Sequence, residues 1–192
     1  MRIGIIGSGS IGGTAAQLFE DAGHEVLVGS RSNGRVEEAC GFGEMVLVAT
    51  PFAAYTTLPA DALDGKIVID ANNYYPGRDG SFPDLDADRT TSSELLSEHL
   101  SGARVVKAFN TLQADSLGSE GLPPGDPQRL VLFVAGDDEN AKRHVADLID
   151  EIGFEPVDTG SLADGGRRQQ PGSDIYGAEM TAPDAREVLD ID

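Results

Sequence analysis

Residues 1–32 read MRIGIIGSGSIGGTAAQLFEDAGHEVLVGSRS, and this stretch decides the fold. The apolar run Ile3–Ile6 is long enough for a buried parallel strand. It runs into Gly7-Ser8-Gly9-Ser10-Ile11-Gly12, a GxGxxG. A helical pattern follows at once, with Ile11, Ala15, Leu18, Phe19 and Ala22 on one face. Gly23 ends that helix, and Glu25–Gly29 read as a second strand. A glycine loop between strand and helix, followed by another strand, predicts a dinucleotide site. Gly7 permits the tight turn, Gly9 lets a pyrophosphate approach the backbone, and Gly12 lets helix and strand pack closely. The amides of Ser8, Ser10 and Ile11 stand where the helix start offers free N–H groups and a positive dipole end.

The far end of this stretch selects the nucleotide. A carboxylate at the tip of the second strand would bind the ribose hydroxyls of NAD and repel a 2′-phosphate. Here the tip is Gly29-Ser30-Arg31-Ser32, with Arg35 following, and no acid stands there. Arg31 can pair with a phosphate while Ser30 and Ser32 donate hydrogen bonds, which predicts NADP(H).

Downstream, Arg35–Cys40 have room for only a short helix, which Gly41-Phe42-Gly43 breaks before a strand at Met45–Ala49. A full nucleotide-binding half places a further helix and strand here. The expected fold is α/β: a Rossmann-like doubly wound, mainly parallel sheet with the usual third strand missing and a small C-terminal extension. The expected division is an NADP-binding domain over 1–160 and a tail with a short helix over 161–192.

Ligands bind outside the carboxyl ends of parallel strands. Thr50-Pro51-Phe52 ends the strand at 45–49, so Pro51 and Phe52 are expected to wall the nicotinamide. Lys66–Asp70 form a strand ending in Ala71-Asn72-Asn73-Tyr74-Tyr75, and Asn72 and Asn73 can hydrogen-bond a carboxamide or an acceptor. Gly77–Arg89 read as a long surface loop. Thr91-Ser92-Ser93-Glu94 form a capping box for a helix to about Leu100. Arg104–Phe109 form a strand that delivers Asn110 and Thr111, and Lys107 is an unexpected lysine inside its apolar run. Lys107 either faces the site as a proton donor or reaches water at an edge, and Asn110 is the other candidate for a catalytic role. Leu117–Gln128 read as loop, Arg129–Ala135 as a strand, Ala141–Ile152 as an amphipathic helix and Phe154–Asp158 as the last strand. Thr181-Ala182-Pro183-Asp184 open a terminal helix.

Composition narrows the partners. There are 33 acidic against 14 basic residues, a formal net charge of −19, which argues against nucleic acid and anionic membranes. This acidic, lysine-poor composition suits a salt-adapted or GC-rich source. The lone Cys40 forbids an internal disulfide and suits a reducing cytoplasm. No stretch approaches transmembrane length and none reads as a secretory signal, so a cytoplasmic location is expected. His24, His99 and His144 do not fall at strand carboxyl ends, and no spacing suggests a metal.

The order and spacing of Gly7–Gly12, Gly29–Ser32, Val48–Phe52, Ile69–Asn73, Val106–Thr111 and Val134–Asp138 resemble the NADP-dependent oxidoreductases of the 8-hydroxy-5-deazaflavin coenzyme, and among them the short dinucleotide-binding members. The resemblance implies that the Ser30–Arg31 pair holds the 2′-phosphate, that Thr50–Pro51 abuts the nicotinamide, and that Ala108–Gln113 line a second-substrate site. It also implies a small-molecule hydride acceptor, a deazaflavin or flavin, and a homodimer. Deazaflavin enzymes carry a histidine and a proline where this chain has Asn110 and Gln113, and their tail differs from Gly165–Gly172 with its Arg167–Arg168 pair.

Overall fold

The computed structural model describes residues 1–191. Strand β1 (Arg2–Ile6) pairs in parallel with β2 (Glu25–Gly29) on one side and β3 (Met45–Val48) on the other. β4 (Ile67–Asp70) and β5 (Arg104–Lys107) continue the parallel set. β6 (Val131–Gly136) then runs antiparallel to β5, and β7 (Glu155–Gly160) pairs in parallel with β6. The order is β2-β1-β3-β4-β5-β6-β7, so β2 is an edge and the usual third strand is absent beside it.

The helices are α1 (Ser10–Asp21), α2 (Val36–Phe42), α3 (Ala60–Leu63), α4 (Pro76–Asp79), α5 (Pro83–Asp86), α6 (Ser92–His99), α7 (Ala114–Ser119), α8 (Glu139–Glu151), α9 (Asp164–Arg168) and α10 (Ala182–Leu189), with a 3₁₀ turn over Phe52–Thr57. They cover both faces of the sheet, which is why its inner strands are largely apolar, with Asp70 and Lys107 as buried exceptions. Ile3, Ile5, Leu47, Ile69 and Val106 meet α1 and α8 on one face. Ile6, Val46, Val48, Val68 and Val105 meet Cys40 of α2, Leu63, Leu96 and Leu100 on the other. Val131, Phe133 and Val157 bury Ile175, Ala185 and Leu189 of the C-terminal segment. Arg168 serves this docking by donating to the Leu189 carbonyl at 2.9 Å, at the end of α10, while Arg167 pairs with Asp88 and ties α9 to the chain after α5.

The shortened crossover needs α2 pressed onto the sheet. Gly4 makes that possible: a Cβ there would collide with the Ala39 carbonyl oxygen of α2. Cys40 is fully buried at this contact, and burial pushes its thiol up to about 11. It is packing, as its sequence context indicated.

Several loop readings are corrected. Gly77–Arg89 contain the single-turn helices α4 and α5, each started by a proline at its first position and tied by Tyr74, whose hydroxyl donates to Asp86 Oδ1 at 2.6 Å and lies 2.9 Å from Gly80 O. α7 reaches Ser119, inside the segment read as loop from Leu117. α2 runs through Gly41 to Phe42, and α9 is a second helix in the tail where one, opening at Thr181, was expected. The Thr91 capping box is present, with Glu94 N–H donating to Thr91 Oγ1 at 3.1 Å and Thr91 N–H to Glu94 Oε2 at 2.7 Å.

Gly4→Ala is expected to destabilise the protein by about 1–3 kcal/mol, because rigid backbone must move to admit the methyl group. Urea denaturation compared with the parent chain measures this.

Candidate functional site

The glycine loop divides its work between packing and an open face. Gly7 holds φ +116°, and a Cβ there would strike the Ala49 carbonyl oxygen. A Cβ on Gly12 would strike the Gly7 carbonyl oxygen. These two glycines lock strand, loop and helix together. Gly9 differs: it is the N-cap of α1, and its missing Cβ has nothing within 4 Å. No side chain caps α1 and no acid lies in its first turn, so its first amides face outward without a protein partner. An anion is the natural complement of that helix end.

A cleft of about 1110 Å³ opens over this loop. Its volume suits a large nucleotide, since ligand clefts run to roughly 1,000 Å³. Gly7, Ser8, Gly9, Ser30, Arg31, Ser32, Thr50 and Pro51 line it, so one wall unites these sequence-predicted residues. Ser10 begins α1 on the exposed side, and Ile11 packs against the core instead of the cleft. Arg31 is the one basic and Glu37 the one acidic residue on the wall, among the described residues. Asn33 braces the tip: its Oδ1 accepts from the amides of Ser30 at 2.8 Å and Arg35 at 3.0 Å, and its Nδ2 donates to Val28 O at 3.0 Å. Arg35 points away into a two-pronged pair with Glu38 at 2.7 and 2.8 Å. Beyond the deleted strand the rest of the cleft is walled by Val36, Ala53, Ala54, Thr57, Leu58 and Pro59, none of which carried a motif.

Phe52 does not wall the cleft, contrary to the sequence expectation. It is fully buried, stacked on Tyr55 at 4.8 Å and packed edge-on against Tyr74 and Phe82. The 3₁₀ turn that begins at Phe52 rotates it inward and leaves Pro51 exposed on the cleft.

Behind Thr50 lies a buried polar network at the ends of β4 and β5. Lys107 is 1% exposed, so the expectation of an edge lysine reaching water is overturned. Its Nζ donates to Asp70 Oδ2 at 3.3 Å and to the Asn72 carbonyl. Burial pushes its ammonium below the ordinary lysine range, against the opposing pull of Asp70. Asp70 also accepts from Ser93 Oγ at 2.6 Å and from the Asn72 amide at 3.0 Å. Asn72 Oδ1 in turn accepts the Thr50 amide at 2.7 Å. Phe109 leaves β5 with φ +65°, a conformation unfavourable for a bulky residue, and this turns Asn110 toward Asn73. Asn110 Nδ2 donates to Asn73 Oδ1 at 3.1 Å and to Gln169 O at 2.8 Å. Asn73 Nδ2 donates back to the Asn110 carbonyl at 2.9 Å. The hydroxyls of Tyr75 and Tyr176 meet beside them, and burial pushes the Tyr176 phenol upward. Tyr176 and Gln169 bring the C-terminal segment over these strand ends, a contact with no local sequence signal. Buried polar atoms left unpaired include Thr50 Oγ1, Asn72 Nδ2 and Asn110 Oδ1.

The histidines lie off the cleft. His24 bonds Glu151 at 3.0 Å, His99 bonds Leu58 O at 3.0 Å, and His144 bonds Asn140 O at 2.7 Å. Among the described residues no cluster could hold a metal ion, and no helix is long and apolar enough to cross a membrane.

The open space at Gly9 makes a clean test. Gly9→Ala is expected to lower NADP⁺ affinity at least about tenfold, because a methyl fills the phosphate approach. Its melting temperature should move by no more than about 2–4 °C, the scale of a weakened N-cap. Calorimetric titration and a thermal melt read both.

Residues 2–41 match the family model described as NADP oxidoreductase, coenzyme F420-dependent. Metalloreductase STEAP3 of Rattus norvegicus is 33% identical over 177 residues, which cover 84% of this chain and 34% of that protein. The chain thus spans about a third of the length of the curated relatives it matches. A hypothetical protein, SMa0349 from Sinorhizobium meliloti, superposes with a TM-score of 0.78 at 31% identity, over 94% of this chain and 95% of that one. A protein assigned as an F420-dependent NADP reductase from Arthrobacter sp. FB24 superposes with a TM-score of 0.75 at 25% identity, over 94% and 99%. The family match thus falls on the nucleotide-binding end, from β1 through the glycine loop to α2, and the full-length superposition gives the chain the Rossmann-like α/β fold of an F420-dependent NADP reductase.

Proposed function

We propose that this cleft binds NADP(H) through the Ser30–Arg31–Ser32 tip and that the protein passes hydride to a flat, flavin-like acceptor: a deazaflavin, a flavin or a quinone. The observation that carries the reading is the cleft wall itself. It joins an uncapped helix end and an open Gly9 to a strand tip bearing Arg31 and two hydroxyls, with no carboxylate at that tip.

The nicotinamide, when bound, supplies the hydride. The chain supplies position and charge. The first amides of α1 bind the pyrophosphate, and Arg31 with Ser30 and Ser32 binds the 2′-phosphate. In a chain of formal charge −19, that single guanidinium on the wall also opposes the general repulsion of a polyanion. Thr50 and Pro51 flank the ring, with Pro51 giving an apolar contact. Asn110 and Asn73 are bonded to each other at the strand ends and are not among the lining residues of this cleft.

The wall favours a flavin-like acceptor over a carbonyl or imine. Reducing a carbonyl requires a proton donor at the forming alkoxide. The lining residues include no histidine, lysine or tyrosine, and Lys107 Nζ is committed to Asp70 and Asn72. Hydride transfer between stacked flat rings is chiefly a matter of positioning. The name of the metalloreductase relatives fits this reading: a hydride carries two electrons, and a flavin-like carrier divides them for a metal ion that takes one at a time.

Two measurements test the proposal. Loss of nicotinamide absorbance is followed against deazaflavin, flavin, quinone, ferric chelate and small carbonyl or imine substrates. Turnover with the ring acceptors is expected. Turnover only with carbonyls or imines, or NADPH binding without oxidation by any acceptor, overturns the proposal. Arg31→Ala is expected to weaken NADPH binding by roughly 10- to 100-fold, the worth of charge-assisted hydrogen bonds, and to leave NADH binding unchanged.

A further inference from the structure

We propose that Glu37 reads the exocyclic amine of the nucleotide's adenine, which makes it a specificity-determining residue at the base end of the cleft. This rests on the NADP(H) reading above and extends it to the part of the wall that carried no motif.

The cleft wall has a direction. An adjoining hollow of about 630 Å³ shares Glu37, Leu58 and Pro59 with the cleft, and its wall includes neither the glycine loop nor the Ser30–Ser32 tip. Those three residues therefore mark the end of the cleft away from the phosphate-binding groups. A nucleotide with its pyrophosphate on α1 and its 2′-phosphate on Arg31 has one group left for that end, the purine.

The chemistry of that end suits a flat ring bearing one donor. Val36, Ala54, Leu58 and Pro59 give it apolar surface. Glu37 stands exposed among them, in the first turn of α2. Both acids of that turn suit the helix dipole, but Glu38 is also spent on Arg35, at 2.7 and 2.8 Å. Among the described residues Glu37 has no hydrogen-bond or ion-pair partner, so its carboxylate faces the cleft uncommitted. A free carboxylate opposes a polyanionic ligand unless that ligand brings it a donor. The adenine N6 amine is such a donor, uncharged and on the edge of the ring remote from the phosphates. The ribose is drawn to the strand tip by its 2′-phosphate, which leaves the base edge to meet Glu37. A carboxylate only accepts, so it takes an N–H at this edge and repels a base that presents an acceptor there.

The test compares binding, not turnover. NADP⁺ is set against its 1,N6-etheno analogue, in which a two-carbon bridge removes both N6 hydrogens and leaves an acceptor nitrogen in their place. Both are titrated calorimetrically into the parent chain and into Glu37→Ala. The parent is expected to prefer NADP⁺ by roughly tenfold, the worth of one hydrogen bond to a charged group. In Glu37→Ala the two ligands should bind within about twofold of each other. The adjoining hollow gives the bridge room, so bulk alone predicts no dependence on Glu37. Glu37 is exposed and alanine is the best helix former, so the variant should melt within about 2–4 °C of the parent. Equal binding of the two ligands by the parent chain overturns the assignment and leaves NADP(H) binding intact. So does a preference that survives in Glu37→Ala, which traces it to bulk or to another residue. Failure of the parent chain to bind NADP⁺ overturns the NADP(H) reading and the assignment with it.

Discussion

The buried pair of Lys107 with Asp70 is the constraint on which the functional end of the sheet depends. The two residues sit opposite each other in the register of β4 and β5, at the last paired position of each strand. An ammonium taken out of water costs several kcal/mol unless it is matched. Here it is matched by Asp70 and by the Asn72 carbonyl, and Asp70 is matched further by Ser93 and the Asn72 amide. Because each partner lies on a different segment, satisfying one charge ties together β4, β5, α6 and the chain leaving β4. Removing one partner would strand the other charge without water, which is the costliest way to break such a site. The turn that carries Thr50 onto the cleft wall is thus held from behind, through Asn72, by a pair of buried charges.

The trimmed nucleotide-binding half is the second organising feature. With β2 at the edge, α2 alone makes the crossover between β2 and β3, and Gly4 clears the space for it. Where that strand is absent the cleft is walled by the 3₁₀ segment and by Leu58 and Pro59. The β2 tip is consequently short and held by the Asn33 side chain, which braces Ser30 and Arg35 at once, and by a hydrogen bond between the Ser30 and Ser32 hydroxyls. Arg31 is left free of that bracing and exposed on the wall. The same economy shows in the C-terminal segment, which seals the apolar face of β6 and β7 and sends Tyr176 and Gln169 to the strand ends.

Local chemistry made much of this legible. Gly7–Gly12 fixed a strand–loop–helix, Thr91 and Glu94 announced α6, and the spacing of Ala141, Val145, Leu148 and Ile149 announced α8. The short interval from Ser32 to Met45 foretold the missing strand. What stayed hidden depends on partners distant in sequence. α4 and α5 look like loop because their helical turns are held by Tyr74, Asp79 and Asp86 and not by propensity. Phe52 looked like a wall because strand ends usually point at ligands; a single 3₁₀ turn reverses it into an aromatic cluster. The direction of β6 cannot be read from an apolar run, since buried strands of either sense look alike.

The sequence by itself determined the nucleotide end of this protein. A tight turn, an uncapped helix start and the absence of an acid after β2 act over a few residues, so they are written locally. Only the tertiary structure decided what Lys107, Asn72 and Asn110 do. A lysine in an apolar strand acquires its meaning from the carboxylate beside it on the next strand, and Asp70 is 37 positions away along the chain. Whether a buried amide is satisfied or left with a free hydrogen depends on every group around it. That is a property of the packed molecule, and no pattern in the chain contains it.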